Sequence, residues 1–253
     1  MNEKEKKYFD LSYAKLGEWL TPSYEELLER YTKYPQEFTL EEVNEYVYYL
    51  FCYPVLDTLE QGILLVYEKE NIIADLAFVH STMHDTLTDT KIYDYMSEDS
   101  DWSYLQHYII CNYFYPSLPY PYTKKDILVK NTEVIYFTNI YVTKRYRQQH
   151  IFSRMLDISK EQVLRYMTGD IHTISIISLD PDIACYGEDT PNEPYIYSMK
   201  DEKDRMRNKA ILEKKGYMAL KLEETQVQEN SDGTKLWFAI NKENVHIEQV
   251  EKI

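Results

Sequence analysis

The first sixty residues carry polar and apolar positions at helical spacing. Ser23 precedes two glutamates, the pattern of a helix N-cap followed by acids that the helix dipole stabilises. Thr39 and Glu42 have the spacing of a capping box. Apolar residues then follow at intervals of three and four, namely Val43, Tyr46, Val47 and Leu50. We therefore expect an N-terminal helical extension over residues 1–60, with its last helix ending at Pro54.

Two runs rich in β-branched and apolar residues come next, at Gly62–Tyr67 and Ile72–Val79. A short polar turn, Glu68–Asn71, separates them, so the pattern predicts an antiparallel hairpin. Residues 81–132 are acidic and rich in proline towards their end, and they have no clear period. We expect an insertion there, in which Trp102–Tyr115 has the spacing of a helix.

The second half of the chain alternates between strand-like and helix-like segments. Val134–Val142 reads as a strong strand, and apolar positions at helical spacing follow from Ile151 and stop before Gly169. Ile171–Leu179 reads as another strand, too apolar for an exposed edge.

A further helix and a strand pair complete this half. The helix contains Ile211 and ends at Gly216, and the strands at 220–222 and 236–240 flank Asp232–Gly233, a hairpin signal. The order β-α-β-α-β-β predicts an α/β fold, with parallel pairing in the middle of the sheet and antiparallel pairing at its end.

Charge excludes several classes of function. Lys and Arg number 28 against 43 Asp and Glu, a net charge of −15, so a general nucleic-acid binder is not expected. No polybasic run or long apolar run indicates a membrane surface or span. The three cysteines are odd in number and widely spaced, which is typical of a reducing compartment. With a charged start and no apolar run behind it, the chain is expected in the cytoplasm.

Against this acidic background, the segment from Val134 to Leu156 contains no Asp or Glu. It carries four basic residues, Lys144, Arg145, Arg147 and Arg154. A helix N-terminus with added cations suits a phosphate-bearing ligand. The alternative is a loop whose basic residues are simply solvated.

The residues from Ile140 to Leu156 resemble the acetyl-CoA motif of GNAT-type N-acyltransferases. Asn208–Tyr217 resembles a later helix of the same family, which ends in a Gly-aromatic pair. The resemblance implies a mixed central sheet flanked by helices, with an antiparallel N-terminal hairpin, a parallel middle pair and an antiparallel C-terminal pair. It implies a GNAT-like domain over residues 61–242, with the insertion at 81–132 and a tail at 243–253.

The same resemblance implies a site for acetyl-CoA. The backbone of Ile140, Tyr141 and Val142 would pair with the pantetheine arm. The loop and helix start would cradle the pyrophosphate, through Arg147, Gln148, Gln149, His150, Ile151, Phe152 and Ser153. Asn208 is the remaining candidate for cofactor binding. The catalytic base is open, and Glu133, at the start of the strand, is its candidate; no metal is expected.

The function implied is direct transfer of acetyl from acetyl-CoA to a small-molecule or peptide amine, and a homodimer is a further expectation. The acidic surface favours a cationic acceptor. The alternative is a GNAT-fold binding or regulatory protein without turnover. It is motivated by His150 and Phe152, which replace two motif glycines, and by Leu212, where many members carry a tyrosine acid.

Overall fold

The computed structural model describes residues 1–17, 20–98, 132–165, 167–178, 184–186, 194–196, 202–221 and 237–247. The predicted helix at Trp102–Tyr115 and the predicted turn at Asp232–Gly233 lie outside these residues. The chain divides into two compact units. Unit 1 comprises Met1–Val79, Asn139–Tyr166 and Cys185–Tyr195, and unit 2 comprises His80–Thr138, Met167–Ala184 and Ile196–Ile253.

Unit 1 contains two N-terminal helices, the first strands of the sheet and one later helix. They are α1 (Glu3–Leu16), α2 (Tyr24–Lys33), β1 (Phe38–Val43), β2 (Tyr46–Leu56), β3 (Leu59–Glu68), most of β4 (Asn71–Thr82), the end of β5 (Thr132–Val142) and α5 (Ile151–Leu164). Strands β3 and β4 form the expected hairpin, and Lys69 takes a left-handed backbone (φ 60°) in its turn. Helix α5 also follows the prediction, although it ends at Leu164, before Met167.

Both N-terminal helices begin with a complete capping box. In α1, the Asn2 side chain accepts from the Glu5 N–H at 2.9 Å, and Glu5 accepts from the Asn2 N–H at 2.8 Å. In α2, Ser23 and Glu26 make the same reciprocal pair, at 3.3 and 2.7 Å. The N-cap predicted at Ser23 is confirmed.

The helix predicted from the Thr39 capping box is wrong. Thr39 lies in β1 and pairs with Leu50 of β2, and Asn44, with a left-handed φ of 57°, lies in the two-residue turn between the strands. Every residue from Tyr46 to Tyr53 is buried, so both faces of β2 are covered. Aromatic and β-branched residues favour such a strand, and burial on both faces removes the period-2 pattern that would identify it. Pro54 lies at a register shift near the end of β2, not at a helix end.

An aromatic core holds the N-terminal helices to the sheet within unit 1. Phe9 of α1 and Leu27 of α2 are buried against Phe38, Tyr49 and Phe51 of the first two strands. The ring of Phe9 lies 6.1 Å from that of Phe38, within the range in which aromatic pairs interact. These contacts cover one face of β1–β3 with helix.

Unit 2 contains the end of β4, most of β5 and the C-terminal strands. Its further elements are α3 (Met83–Thr88), α4 (Thr90–Glu98), β6 (Gly169–Ser178), α6 (Glu202–Lys214), β9 (Met218–Lys221) and β10 (Trp237–Ile247). Two short strands, β7 (Ala184–Tyr186) and β8 (Pro194–Ile196), form a separate two-stranded sheet, most of whose residues belong to unit 1. Helix α6 ends as predicted, because Gly216 takes φ 83° and the Tyr217 N–H reaches the Leu212 carbonyl at 3.0 Å.

The sheet has the pairing that the sequence predicts. β5 and β6 are parallel, and β10 is antiparallel to both β6 and β9. The order is β1-β2-β3-β4-β5-β6-β10-β9, so β6 has a neighbour on each side and is not an edge. The fold is therefore a mixed α/β sheet flanked by helices, as expected. β10 continues to Ile247, so the described part of the expected tail lies within a strand. Within the described residues, no helix has both the length and the hydropathy of a membrane span.

Candidate functional site

Strand β5 extends beyond its parallel ladder. β5 pairs with β6 from Thr132, opposite His172, to Phe137, opposite Ile177. β5 itself continues to Val142. In unit 1 the chain just after β5 is bound to β4, because the Thr143 N–H donates to the Ile73 carbonyl at 2.9 Å. Ile140, Tyr141 and Val142 are each partly exposed on this end of the strand. The three residues predicted to pair with a pantetheine arm therefore form one continuous strand end.

The loop after β5 leads directly into the start of α5. A 3₁₀ turn at Lys144–Tyr146 is followed by two left-handed residues, Gln148 (φ 69°) and His150 (φ 62°). The resemblance places a motif glycine at His150, and the backbone there has the conformation that glycine adopts without strain. His150 is the N-cap of α5, yet its side chain makes no capping hydrogen bond, and the first turn contains no acid. This helix start therefore has the polarity that attracts an anion.

Side chains of the same unit fix the loop in place. The Tyr46 hydroxyl donates to Oε1 of Gln149, and the Tyr146 hydroxyl donates to Oε2 of Glu68 at 2.7 Å. The Arg147 Nε donates to the Val142 carbonyl at 3.0 Å. Gln149, predicted as part of the cradle, thus uses its side-chain oxygen to anchor the loop to β2.

The four basic residues of this segment differ in ion pairing and in exposure to solvent. Arg154 donates from Nε to Glu41 at 2.8 Å and from Nη1 to Glu161 at 2.9 Å. The hydrogen bond to Glu41 is the main cause that raises the pKa of Arg154 above its usual value. Its charge is therefore neutralised within unit 1. Lys144, Arg145 and Arg147 are exposed on the loop, with the Arg145 guanidinium 4.5 Å from the Tyr146 ring centre.

The remaining residues of the predicted cradle lie in the first turn of α5. Ile151 is buried, while Phe152 and Ser153 are partly exposed. Asn208 lies in α6, within unit 2, where its backbone is described. The structure thus brings the loop residues and the strand end together in one unit, and the assignment of Asn208 stays a prediction.

Glu133 has a partner that the sequence did not suggest. In unit 2, its Oε2 lies 2.7 Å from Nε2 of His80, and both side chains are about nine-tenths buried, with 11% and 12% exposed. His84, four residues further along the chain, has a different partner, because its Nδ1 lies 3.2 Å from Oδ1 of Asp85. Among the described residues, no cluster of three ligand side chains could hold a metal ion.

A second carboxylate, missed in the sequence, lies in unit 1. Asp75 of β4 accepts a hydrogen bond from the side-chain amide of Asn139 in β5. Burial raises the pKa of Asp75 to about 6, against the smaller lowering effects of Asn139 and of Lys15 in α1. The sequence contains a sign of this residue, because Asp75 is the only charged residue in the apolar run Ile72–Val79.

No family model and no curated protein matches the chain. Among solved structures, it is similar to a polyamine N-acetyltransferase of Drosophila melanogaster that forms N-acetylagmatine, at 9% identity and TM-score 0.35, over 73% of this chain and 74% of that one. It is also similar to a mutant agmatine N-acetyltransferase in its apo form, at 9% identity and TM-score 0.34, over 71% and 73% of the two chains. At these values the likeness is weak, and the strand pairing above describes the fold without it.

Proposed function

We propose that this protein is an acyl-CoA-dependent N-acyltransferase of the GNAT type, transferring acetyl from acetyl-CoA directly to an amine. The observation that carries the proposal is the junction of β5 and α5. There, a left-handed residue replaces the motif glycine at an uncapped, acid-free helix start. Exposed basic residues lie on the loop beside it. Each of these features favours a bound pyrophosphate.

The proposed roles follow from the resemblance and the local geometry. The backbone of Ile140–Val142 would hold the pantetheine arm, and the residues from Arg147 to Ser153 would hold the pyrophosphate. Catalysis would then come mostly from positioning the thioester against the amine. The amine nitrogen attacks the carbonyl carbon, a C–N bond forms, the C–S bond breaks, and the electron pair leaves on the CoA sulfur.

The acceptor proposed is a cationic small molecule or peptide amine, in the cytoplasm. Its support is the net charge of −15, which attracts cations over long range and raises their rate of encounter.

A binding or regulatory function without turnover is the second candidate. Leu212, at the position where many family members carry a tyrosine acid, is only 3% exposed and carries no titratable group. An enzyme of this type would protonate the leaving thiolate with another group, or it would release the thiolate without a dedicated acid.

The experiment that tests the proposal is thermal unfolding with acetyl-CoA, with ATP and desulfo-CoA as comparison ligands. Ligand at 100 times its Kd stabilises the folded state by about 2.7 kcal/mol, which is a shift of about 5–10 °C for a chain of this size. We expect this shift with acetyl-CoA and desulfo-CoA, and not with ATP. No shift at millimolar acetyl-CoA would overturn the proposal. A higher melting temperature with acetyl-CoA, but no acetylation of any amine, would favour a binding or regulatory function.

A further inference from the structure

Asp75 is placed beside the end of β5 by two contacts within unit 1. Its Oδ1 accepts from the Asn139 amide, and the neighbouring backbone bond joins Thr143 to Ile73 at 2.9 Å. Asn139 directly precedes Ile140–Val142, the strand end at which the acetyl-CoA arm is proposed to lie. The carboxylate is therefore anchored next to the proposed acyl site by a group from the same strand.

One oxygen of this carboxylate is held and the other is available. None of the described residues donates a hydrogen bond to Oδ2, and Oδ2 is not among their fully buried, unpartnered polar atoms. Asp75 keeps part of its surface exposed, and Oδ2 is the carboxylate oxygen without a hydrogen-bond donor among the described residues. An oriented carboxylate with one such oxygen can accept a proton from a group that approaches from outside.

The surroundings of Asp75 oppose its charge. No described residue forms an ion pair with it, and the charge of Lys15, which is exposed at the end of α1, lowers the pKa of Asp75 only slightly. Asn139, from β5, is uncharged. Because burial disfavours the ionised form, the pKa of Asp75 is raised to about 6, close to working pH. A carboxylate whose ionised form destabilises the folded protein, and whose pKa lies near neutrality, is typical of a general acid or base in catalysis.

Glu133, the candidate named from the sequence, has different surroundings. Its Oε2 is bound to His80 in a pair that is nearly closed to solvent. A buried carboxylate-histidine pair is also a common structural element, in which one polar atom of each side chain satisfies the other. Asp75 differs from Glu133 in its place along the chain's contacts, since Asn139, the group that orients it, directly precedes the strand end Ile140–Val142.

We propose that Asp75 accepts the proton of the acceptor amine in the acetyl transfer, an inference that rests on the proposed function. An ammonium N–H proton moves to Oδ2, and the neutral nitrogen attacks the thioester carbonyl to form the C–N bond. As the C–S bond breaks, the sulfur takes the electron pair, and the second nitrogen proton goes to this thiolate to give the free thiol. Asp75 then returns its proton to water.

The test compares wild type with Asp75→Asn, Asp75→Glu and Glu133→Gln, with Asp10→Asn as the matched control. Asp10 is an exposed aspartate of α1, so the control makes the same chemical change elsewhere in unit 1. The acceptor probes are 1,4-diaminobutane and N-acetyl-lysine methyl ester, with acetyl-CoA hydrolysis measured in their absence. Thiol release gives kcat and KM from pH 5 to 9, and thermal unfolding with acetyl-CoA reports folding and binding.

We expect Asp75→Asn to lower kcat by about 10²–10⁴-fold, the usual contribution of a general base. Its melting temperature should not fall, and its response to acetyl-CoA should remain. Wild-type kcat/KM should fall below about pH 6, and Asp75→Glu should restore part of the rate and move this acid limb. A merely structural aspartate would instead lower the melting temperature of the Asn variant and leave the pH profile unchanged.

Two results would overturn the inference alone. One is an Asp75→Asn variant with wild-type turnover; the other is an acid limb that Glu133→Gln removes and Asp75→Asn keeps. If Asp75→Asn fails to fold, the pH profile of Asp75→Glu decides, since an unmoved acid limb also overturns the inference. Wild-type protein that binds acetyl-CoA but shows neither transfer nor hydrolysis overturns it in favour of a binding protein. Failure of the proposed function itself is distinguishable, because it would appear in wild type, either as no stabilisation by acetyl-CoA or as stabilisation without any transfer.

Discussion

The starts of α1 and α2 differ from the start of α5 in what satisfies the first-turn N–H groups. In α1 and α2, a cap residue and a glutamate three positions later bind each other's backbone, and both helices carry two acids in the first turn. Helix α5 begins at a left-handed histidine that makes no capping bond, and its first turn has no acid. The same chemical end of a helix therefore stabilises the fold in one region and attracts an external anion in the other.

The carboxylates of the two regions show the same contrast. Backbone hydrogen bonds at the caps lower the pKa of Glu5 and of Glu26. Burial raises the pKa of Asp75. The cap glutamates therefore stabilise the folded state when ionised, whereas Asp75 destabilises it. The difference indicates that the N-terminal helices are built for stability, and that the β4–β5 region bears a stability cost for another reason.

The largest expected effect is the pH dependence that Asp75 imposes on folding. Its folded pKa is about 6 and the reference value is 3.8, so about two pKa units correspond to about 3 kcal/mol. The folded state binds this proton more tightly than the unfolded state does. The contribution of protonated Asp75 to the free energy of unfolding is therefore fully present below about pH 3.8 and is lost as pH rises through 6. Urea unfolding from pH 4 to 8 should therefore show Asp75→Asn gaining stability over wild type as pH rises. A constant difference between the two proteins would contradict the raised pKa.

The next effect comes from giving α5 the acid that α1 and α2 possess. Ser153→Asp places a carboxylate in the first turn of α5, where we expect it to repel the pyrophosphate and weaken acetyl-CoA binding by about 10–100-fold. Folding stability should stay the same or rise by about 0.3–1 kcal/mol, because the acid complements the helix dipole. Calorimetric titration measures the affinity. Asn71→Asp, which adds one charge at an exposed position of unit 1, is the control and should bind normally.

Removing a cap from α2 tests the other side of the comparison. Ser23→Ala should lower the free energy of unfolding by about 1 kcal/mol, since it removes the hydroxyl that accepts from the Glu26 N–H and donates to Glu26 Oε2. Acetyl-CoA affinity should not change. Chemical denaturation and titration on the same sample measure both quantities. If Ser23→Ala instead weakened acetyl-CoA binding and left the free energy of unfolding unchanged, α2 would be coupled to the ligand site. That result would contradict the contrast between the two kinds of helix start.

The smallest expected effect is that of His150→Gly. A non-glycine residue at φ 62° bears a cost of about 1 kcal/mol, which glycine relieves, but glycine also adds about as much entropy to the unfolded chain. We therefore expect stability within about 0.5 kcal/mol of wild type, with acetyl-CoA bound at least as tightly. A loss of more than tenfold in affinity would show that the imidazole itself contacts the phosphate.

The sequence predicted the second half of the fold better than the first. The parallel pair β5–β6 and the antiparallel pair β9–β10 follow from short apolar runs that are separated by clear helix stops. The error at Thr39 arose because a strand buried on both faces has no period-2 pattern, and its apolar residues also match a helical spacing. Tertiary burial of both faces, which a local pattern does not contain, decided the structure of β2.

The proposed site could be assigned from the sequence where it is one continuous segment, and not where its contacts join distant strands. The loop from Arg147 to Ser153 is one continuous segment, so a motif could mark it. The partners of the two carboxylates come from distant strands: Asn139 is 64 residues from Asp75, and His80 is 53 residues from Glu133. Sheet pairing creates these contacts, and their chemistry follows from burial, which is set by the whole fold.

The two tyrosine anchors of the loop bear on the speed of ligand capture. Tyr46 holds Gln149, and Tyr146 holds Glu68, so side chains keep the loop in its left-handed turn without a ligand present. A preformed receptor needs no rearrangement before encounter. Association should then be a single fast phase of about 10⁶–10⁷ M⁻¹s⁻¹ whose rate rises linearly with acetyl-CoA concentration. Differences in affinity among CoA analogues would accordingly appear almost wholly in how fast they dissociate.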